Sequence, residues 1–182
     1  MKERGDGIVL IGFMGAGKSS VGRTLARMTG LARFDTDEMV AARFGLGIPE
    51  IFATHGEQKF RDAETEALRE IAGKGTAIVV TGGGIVLRPE NVALLRQLGL
   101  IIYLSADEET LFGRISRRPT RPLLQTEDPR ATLRELLTVR LPIYREAADA
   151  EVDTAGLGHE EVARSILEKI EEHDRDGING ER

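Results

Sequence analysis

Nine residues near the start of the chain, GFMGAGKSS from Gly12 to Ser20, have the types and spacing to hold a polyphosphate. They fit G-x-x-x-x-G-K-[ST], with Gly12, Gly17, Lys18 and Ser19 at the defining positions. Backbone N–H groups along Gly15, Ala16, Gly17, Lys18, Ser19 and Ser20 can converge on phosphate oxygens. Lys18 brings a point charge to the outer phosphates, and the Ser19 hydroxyl can ligate Mg²⁺. An apolar run, IVLI, precedes the loop and a helical pattern follows it. That context separates a nucleoside triphosphate site from a plain glycine turn. It leaves the phosphate acceptor open.

A magnesium–nucleotide site needs further negative charge. Many proteins with this loop place an aspartate at the end of a later buried strand. Here AIVV runs into Thr81 and then Gly82–Gly84, with no acid. FDTD is the alternative supplier, because Asp35 and Asp37 follow the second predicted strand and strand ends of a parallel sheet open on one edge. Either Asp37 or Thr36 could instead cap the following helix. The glycine triplet is costly in chain entropy and suits a close approach of ligand to backbone, or else a turn. Arg61, in GEQKFRDAE, and Arg140 offer planar forks for a carboxylate, or are solvated helix residues. Arg121, between prolines in RPTRPLL, suits a lid closing over phosphates. His55, His159 and His173 are isolated and are read as surface or capping residues, none as a metal ligand.

These residues need a scaffold, and the chain alternates short apolar runs with helical patterns. Strands are expected over 7–12, at the start of 32–37 ahead of its two aspartates, and over 77–81, 100–104 and 150–154. Helices are expected over 18–30, 38–45, 48–56, 57–75, 88–99, 106–117, 130–148 and 159–173. On 57–75, Phe60, Glu64, Ala67, Leu68 and Ile71 share one face, and the acid is its exception. Five buried strands alternating with helices predict an α/β fold, a parallel sheet covered on both faces. One domain over 1–173 accounts for the pattern, with a lid at about 115–129. The tail 174–182 has almost no apolar content and is expected to be disordered.

Composition bounds the function class. The 182 residues contain no cysteine, which removes disulfides, thiolate metal sites and a cysteine nucleophile. No apolar run approaches a membrane span, and MKERGDG lacks the apolar block of a signal peptide, so the expectation is cytoplasmic. The net charge of -5 argues against nucleic acid. The stretch from Leu111 to Arg145 runs the other way, with eight arginines, no lysine and three acids. It suits a small anion, or a solvated helix face.

The ordered set GFMGAGKSS, FDTD, GEQKFRDAE, TGGG, RPLL and LTVRLPIYREAAD resembles shikimate kinase, over nearly the whole chain from Gly7 to Glu172. The resemblance implies a three-layer α/β/α P-loop kinase fold with a five-stranded parallel sheet, a lid and a substrate-binding region. It implies transfer of the γ-phosphate of ATP to the 3-hydroxyl of shikimate, with Mg²⁺. A monomer is expected separately, because no apolar stripe in the sequence demands a partner. By similarity, Asp37, Lys18 and Arg121 serve catalysis. Asp37, Arg61, Gly82, Gly83, Gly84 and Arg140 hold shikimate, and Glu64 holds Arg61. Phe52 and Phe60 form an apolar wall. Gly15 to Ser20, Arg114 and Arg121 hold ATP, with Arg114 against adenine. Ser19 ligates the metal and Asp35 assists through water. A kinase for another polyol, such as gluconate, and a nucleotide sensor without catalysis are the rival readings.

Overall fold

The computed structural model of the chain describes residues 5–117 and 126–180. The element order is β1 (Gly7–Ile11), α1 (Lys18–Thr29), β2 (Ala32–Asp35), α2 (Thr36–Phe44), α3 (Ile48–Ile71), β3 (Ala77–Val80), a 3₁₀ turn (Ile85–Leu87), α4 (Pro89–Leu98), β4 (Gly99–Ser105), α5 (Glu108–Ser116), α6 (Pro129–Ala147), β5 (Ala150–Asp153) and α7 (His159–Gly180).

All five strands are parallel, in the order β2-β3-β1-β4-β5. Every residue of β1 and β3 is buried, as strands covered on both faces require. The first crossover, through α1, leads from β1 past β3 to β2; the one through α4 leads from β3 past β1 to β4. Right-handed crossovers in opposite directions put α1 and α4 on opposite faces. The α/β/α layering and the five parallel strands expected from the sequence are therefore present. Register matters for the site: Leu10 is level with Val80, and Val80 with Asp35. The loop after β1, the aspartates after β2 and the glycines after β3 therefore emerge together at one sheet edge.

The main core gathers Val9, Leu10, Ile78, Val79, Ile101 and Ile102 from the sheet, with Leu25, Leu95, Leu133 and Ile166 from helices on its two faces. A second, smaller cluster joins Val40 of α2 to Ile51, Phe60, Ala63 and Ala67 of α3. The predicted face of α3 is buried as expected, Phe60, Glu64, Ala67, Leu68 and Ile71 all included.

Several ends shift by a few residues, as where α2 begins at Thr36 and α3 ends at Ile71, and three further differences bear on the reading. The two helices expected over 48–75 form one element, bent at Gly56, whose backbone leaves the helical region (φ 77°, ψ 165°). The cap of α2 is neither Thr36 nor Asp37. Asp35 takes that role, its Oδ1 accepting from the Asp37 N–H at 3.1 Å. The side chain preceding the first helical residue is the one placed to reach the second orphan N–H. Helical backbone also continues past His173 to Gly180, despite the poor helix formers Asp174, Asp176, Gly177 and Asn179. The proposed lid lies mostly in 118–125, outside the described residues, and Arg121 with it.

Candidate active site

The phosphate loop takes the shape its glycines permit. Gly15 and Gly17 have φ of 84° and 92°, in the left-handed region that side chains disfavour. Gly17 is also the N-cap of α1, so the helix N-terminus and its unsatisfied N–H groups open onto the loop. Lys18 is buried and folds back across the loop. Its Nζ donates to Gly12 O at 2.7 Å and to Phe13 O at 2.9 Å. The ammonium is thus fixed beside the space that the loop encloses.

That space is a cleft of about 540 Å³, lined by Gly15, Gly17, Lys18, Ser19 and Ser20 on one side and by Arg114, Arg117 and His159 on another. Arg114 donates to Thr154 Oγ1 at 2.9 Å, to Thr154 O at 2.6 Å and to Gly15 O at 3.4 Å. It ties α5 to the end of β5 and to the phosphate loop while still lining the cleft. Asp35 lies beneath, 4% exposed, and does not line the cleft itself. Its Oδ2 accepts from Ser19 Oγ at 3.1 Å and from Arg33 at 3.2 Å. Among the described residues no cluster of three His, Asp or Glu side chains could cage a metal ion. Mg²⁺ carried by a triphosphate needs only one or two protein oxygens, the rest coming from phosphate and water. The Ser19 hydroxyl with Asp35 behind it fits that demand.

A smaller recess of about 70 Å³ adjoins the cleft, and Met14, Asp37 and Gly83 line both. Its polar lining is Asp37, Arg61, Glu64, Arg140 and Gly82–Gly84; its apolar wall is Ile48, Phe52 and Phe60. Two glycines of the triplet, Gly82 and Gly84, are needed for space. A Cβ on Gly82 would stand 2.5 Å from both Asp37 Oδ1 and Glu64 Oε1, and one on Gly84 would overlap the Arg61 guanidinium. The Gly82 N–H donates to Thr36 Oγ1 at 3.0 Å, which joins the end of β3 to the start of α2.

Arg61 is 7% exposed and held from two sides. It donates to Glu64 Oε2 at 2.6 Å and to Glu57 Oε1 at 2.9 Å. Glu64 is fully buried, and burial pushes its carboxyl up to about 7 despite the Arg61 guanidinium, with the Asp37 charge adding to the rise. Its Oε1 is the one buried side-chain oxygen without a hydrogen-bond partner among the described residues. Arg140, on α6, is 5% exposed and stacks over Phe13 at 5.7 Å. No carboxylate pairs with it among the described residues. A buried guanidinium without a protein anion suits an anionic ligand.

The structure brings Lys18, Ser19, Asp37, Arg61, Gly82–Gly84, Arg114 and Arg140 to one sheet edge. The arginine-rich stretch divides. Arg130, Arg134 and Arg145 form exposed pairs with Glu109, Glu108 and Glu151, so the solvated-face reading holds for them. His159, exposed at the start of α7 as its surface reading has it, also lines the cleft. Sequence reasoning missed Arg23 and Arg117, which line it too. It missed Glu57, four residues before Arg61, and Tyr144, four after Arg140, whose hydroxyl donates to Gly83 O.

Comparison with known proteins agrees in one direction. The family model described as shikimate kinase matches residues 14–171. A shikimate kinase of Thermodesulfovibrio yellowstonii is 46% identical over 164 residues, covering 90% of this chain and 94% of that protein. One of Bordetella pertussis is 45% identical over 168 residues, covering 92% of this chain and 80% of its own. Among solved structures, shikimate kinase from Acinetobacter baumannii in complex with shikimate superposes with a TM-score of 0.89 at 38% identity, covering 93% of this chain and 94% of that one.

Proposed function

The chain belongs to the shikimate kinase family, and from that premise we propose how its residues divide the work. It is an ATP-dependent kinase that phosphorylates shikimate, yielding ADP and shikimate 3-phosphate in the route to chorismate and the aromatic amino acids. The observation that carries this reading is the recess beside the phosphate loop. Two buried arginines, one of them without a protein carboxylate, face an aspartate across a glycine-walled pocket. That arrangement suits a small ring with a carboxylate at one end and hydroxyls at the other.

ATP lies in the larger cleft, its phosphates on the N–H groups of Gly15 to Ser20 and on Lys18. Ser19 and, through water, Asp35 hold Mg²⁺, which when bound neutralises phosphate charge and orients the γ-phosphate. Arg114, fixed by Thr154, presents its planar group to adenine. Arg61 and Arg140 take the shikimate carboxylate, with Gly82–Gly84 against the ring. Asp37 lines both spaces and so meets the attacking hydroxyl, accepting its proton or orienting it. Arg121, outside the described residues, adds its charge to the phosphates as the family resemblance implies. Positioning and charge neutralisation then carry the transfer, and exclusion of water prevents ATP hydrolysis.

Among the described residues no helix is long and apolar enough to cross a membrane. A monomer working in the cytoplasm completes the reading. A coupled ADP-release assay over a panel of polyols and hydroxy acids tests it. Turnover is expected with shikimate; turnover of gluconate without a response to shikimate would overturn it.

A further inference from the structure

Asn91, in the first turn of α4, and Thr65, on α3, are both buried, and neither lines the cleft or the recess. The two side chains are joined: Thr65 Oγ1 donates to Asn91 Oδ1 at 2.8 Å. Asn91 Nδ2 donates to Ile85 O at 3.0 Å, on the turn directly after the glycine triplet. A carbonyl only accepts, so Ile85 O dictates which way the amide faces. The Thr65 hydroxyl also stands 3.1 Å from Arg61 O, one helical turn back on α3, and accepts from Arg88 at 3.3 Å. The link therefore runs from the stretch of α3 that carries Arg61 to the residue next to Gly84. These are the surfaces that meet where the Arg61 guanidinium lies against Gly84, with no room for a Cβ between them.

We propose that Asn91 is a positioning residue for the acceptor: its side-chain amide ties the glycine turn to the Arg61-bearing stretch of α3 and so sets the spacing between two walls of the recess. Among the described residues the other polar links from α3 to the start of α4 include Arg88 with Asp62 and Arg69 with Glu90. Both lie at the surface, where an ion pair holds little. Inside, each end of the amide has its partner on one wall, and losing either leaves a buried polar group unpaired. Shifting a positioning group by about 1 Å can cost about 10²-fold in rate, so a link outside the pocket can govern how the acceptor is held.

The inference rests on the recess as acceptor site with Arg61 as an anchor, and the variants separate the two ideas. Thr65→Val keeps the branched shape and removes the donor to Asn91. It is expected to raise the KM for shikimate about tenfold, with kcat within about threefold and the KM for ATP unchanged. Thr65→Ser restores the donor and is expected to bring the KM within about twofold of native. An unchanged KM for shikimate in Thr65→Val, an equal rise in the KM for ATP, or no rescue by serine overturns the proposal. Asn91→Leu is expected to give the same rise in KM and a lower stability to chemical unfolding. In the double variant Thr65→Val, Asn91→Leu, two apolar side chains face each other and part of the stability is expected to return. The KM for shikimate should nevertheless stay about tenfold above native, because both changes cut one link. A KM that falls back as stability returns shows a merely structural role and overturns the proposal, as does a rise of about a hundredfold. Where Asn91→Leu fails to fold, Thr65→Val and its serine rescue carry the test. Glu90→Gln cuts a surface link between the same helices and is expected to be silent; an equal effect there refutes the link. Arg61→Ala with an unaltered KM for shikimate removes the anchor and the inference together; a raised KM there with a silent Thr65→Val removes the inference alone.

Discussion

Glu64 forms a short ion pair with Arg61, yet replacing it by glutamine is expected to stabilise the protein at alkaline pH. Its carboxyl is fully buried and titrates at about 7 in the fold, against 4.5 as the ordinary value. The folded state therefore keeps a proton that the unfolded state has lost over the window from 4.5 to 7. Stability from this group is present in full below pH 4.5, declines as pH rises through the window, and is flat above it. The shift corresponds to about 3 kcal/mol between the two ends, at 1.36 kcal/mol for each pH unit. Desolvation outweighs the attraction of Arg61, and the Asp37 charge adds to the penalty. Glutamine resembles the protonated acid and carries no such cost. Chemical unfolding of native and Glu64→Gln proteins should give similar stabilities near pH 4.5 and a variant more stable by about 3 kcal/mol near pH 8. Other groups titrate alike in both proteins and cancel in the difference. A variant that instead loses ground as pH rises would show the ion pair to dominate, and would refute the reasoning. The same variant should bind shikimate less tightly, because Arg61 loses one of its two anionic supports.

Asp37→Asn is expected to lower turnover by orders of magnitude while ATP binding, followed by calorimetry, stays nearly unchanged; near-normal turnover would remove Asp37 from the chemistry. Lys18→Met should abolish transfer, since the ammonium held over the loop by Gly12 O and Phe13 O has no substitute there. Gly84→Ala puts a methyl group into the Arg61 guanidinium, and should raise the KM for shikimate about tenfold or more with little change for ATP. Equal effects on both substrates would show that the loop, and not Arg61, had moved.

The phosphate loop was legible because its glycines and lysine answer to local geometry: Gly12 and Lys18, six residues apart in sequence, are in direct contact. The sheet was legible for a similar reason: runs such as IVLI and AIVV have one reading when both faces are covered. Glu64 stood out as the acid on an apolar helical face, which is a pattern within one element. The rest depends on contacts across elements. Nothing in YREAA says that the phenol of Tyr144 reaches Gly83, 61 positions away. That the exposed His159 shares a cleft with residues of α1, α5 and the phosphate loop is likewise a matter of contacts across elements. The cap of α2 was sought at Thr36 or Asp37 and lies at Asp35, since all three can cap and only the backbone direction at the end of β2 chooses between them.

The small apolar cluster between α2 and α3 has a consequence for descent. Phe60, which walls the acceptor recess, packs with Val40, Ile51, Ala63 and Ala67 in a cluster separate from that beneath the sheet. Phe13, Met14 and Ala16 of the phosphate loop belong to the larger cluster, with the strands. A change of volume under the acceptor wall is therefore absorbed locally, whereas one under the nucleotide loop disturbs the whole sheet. A lineage built this way can alter the alcohol it phosphorylates while inheriting the phosphate donor unchanged.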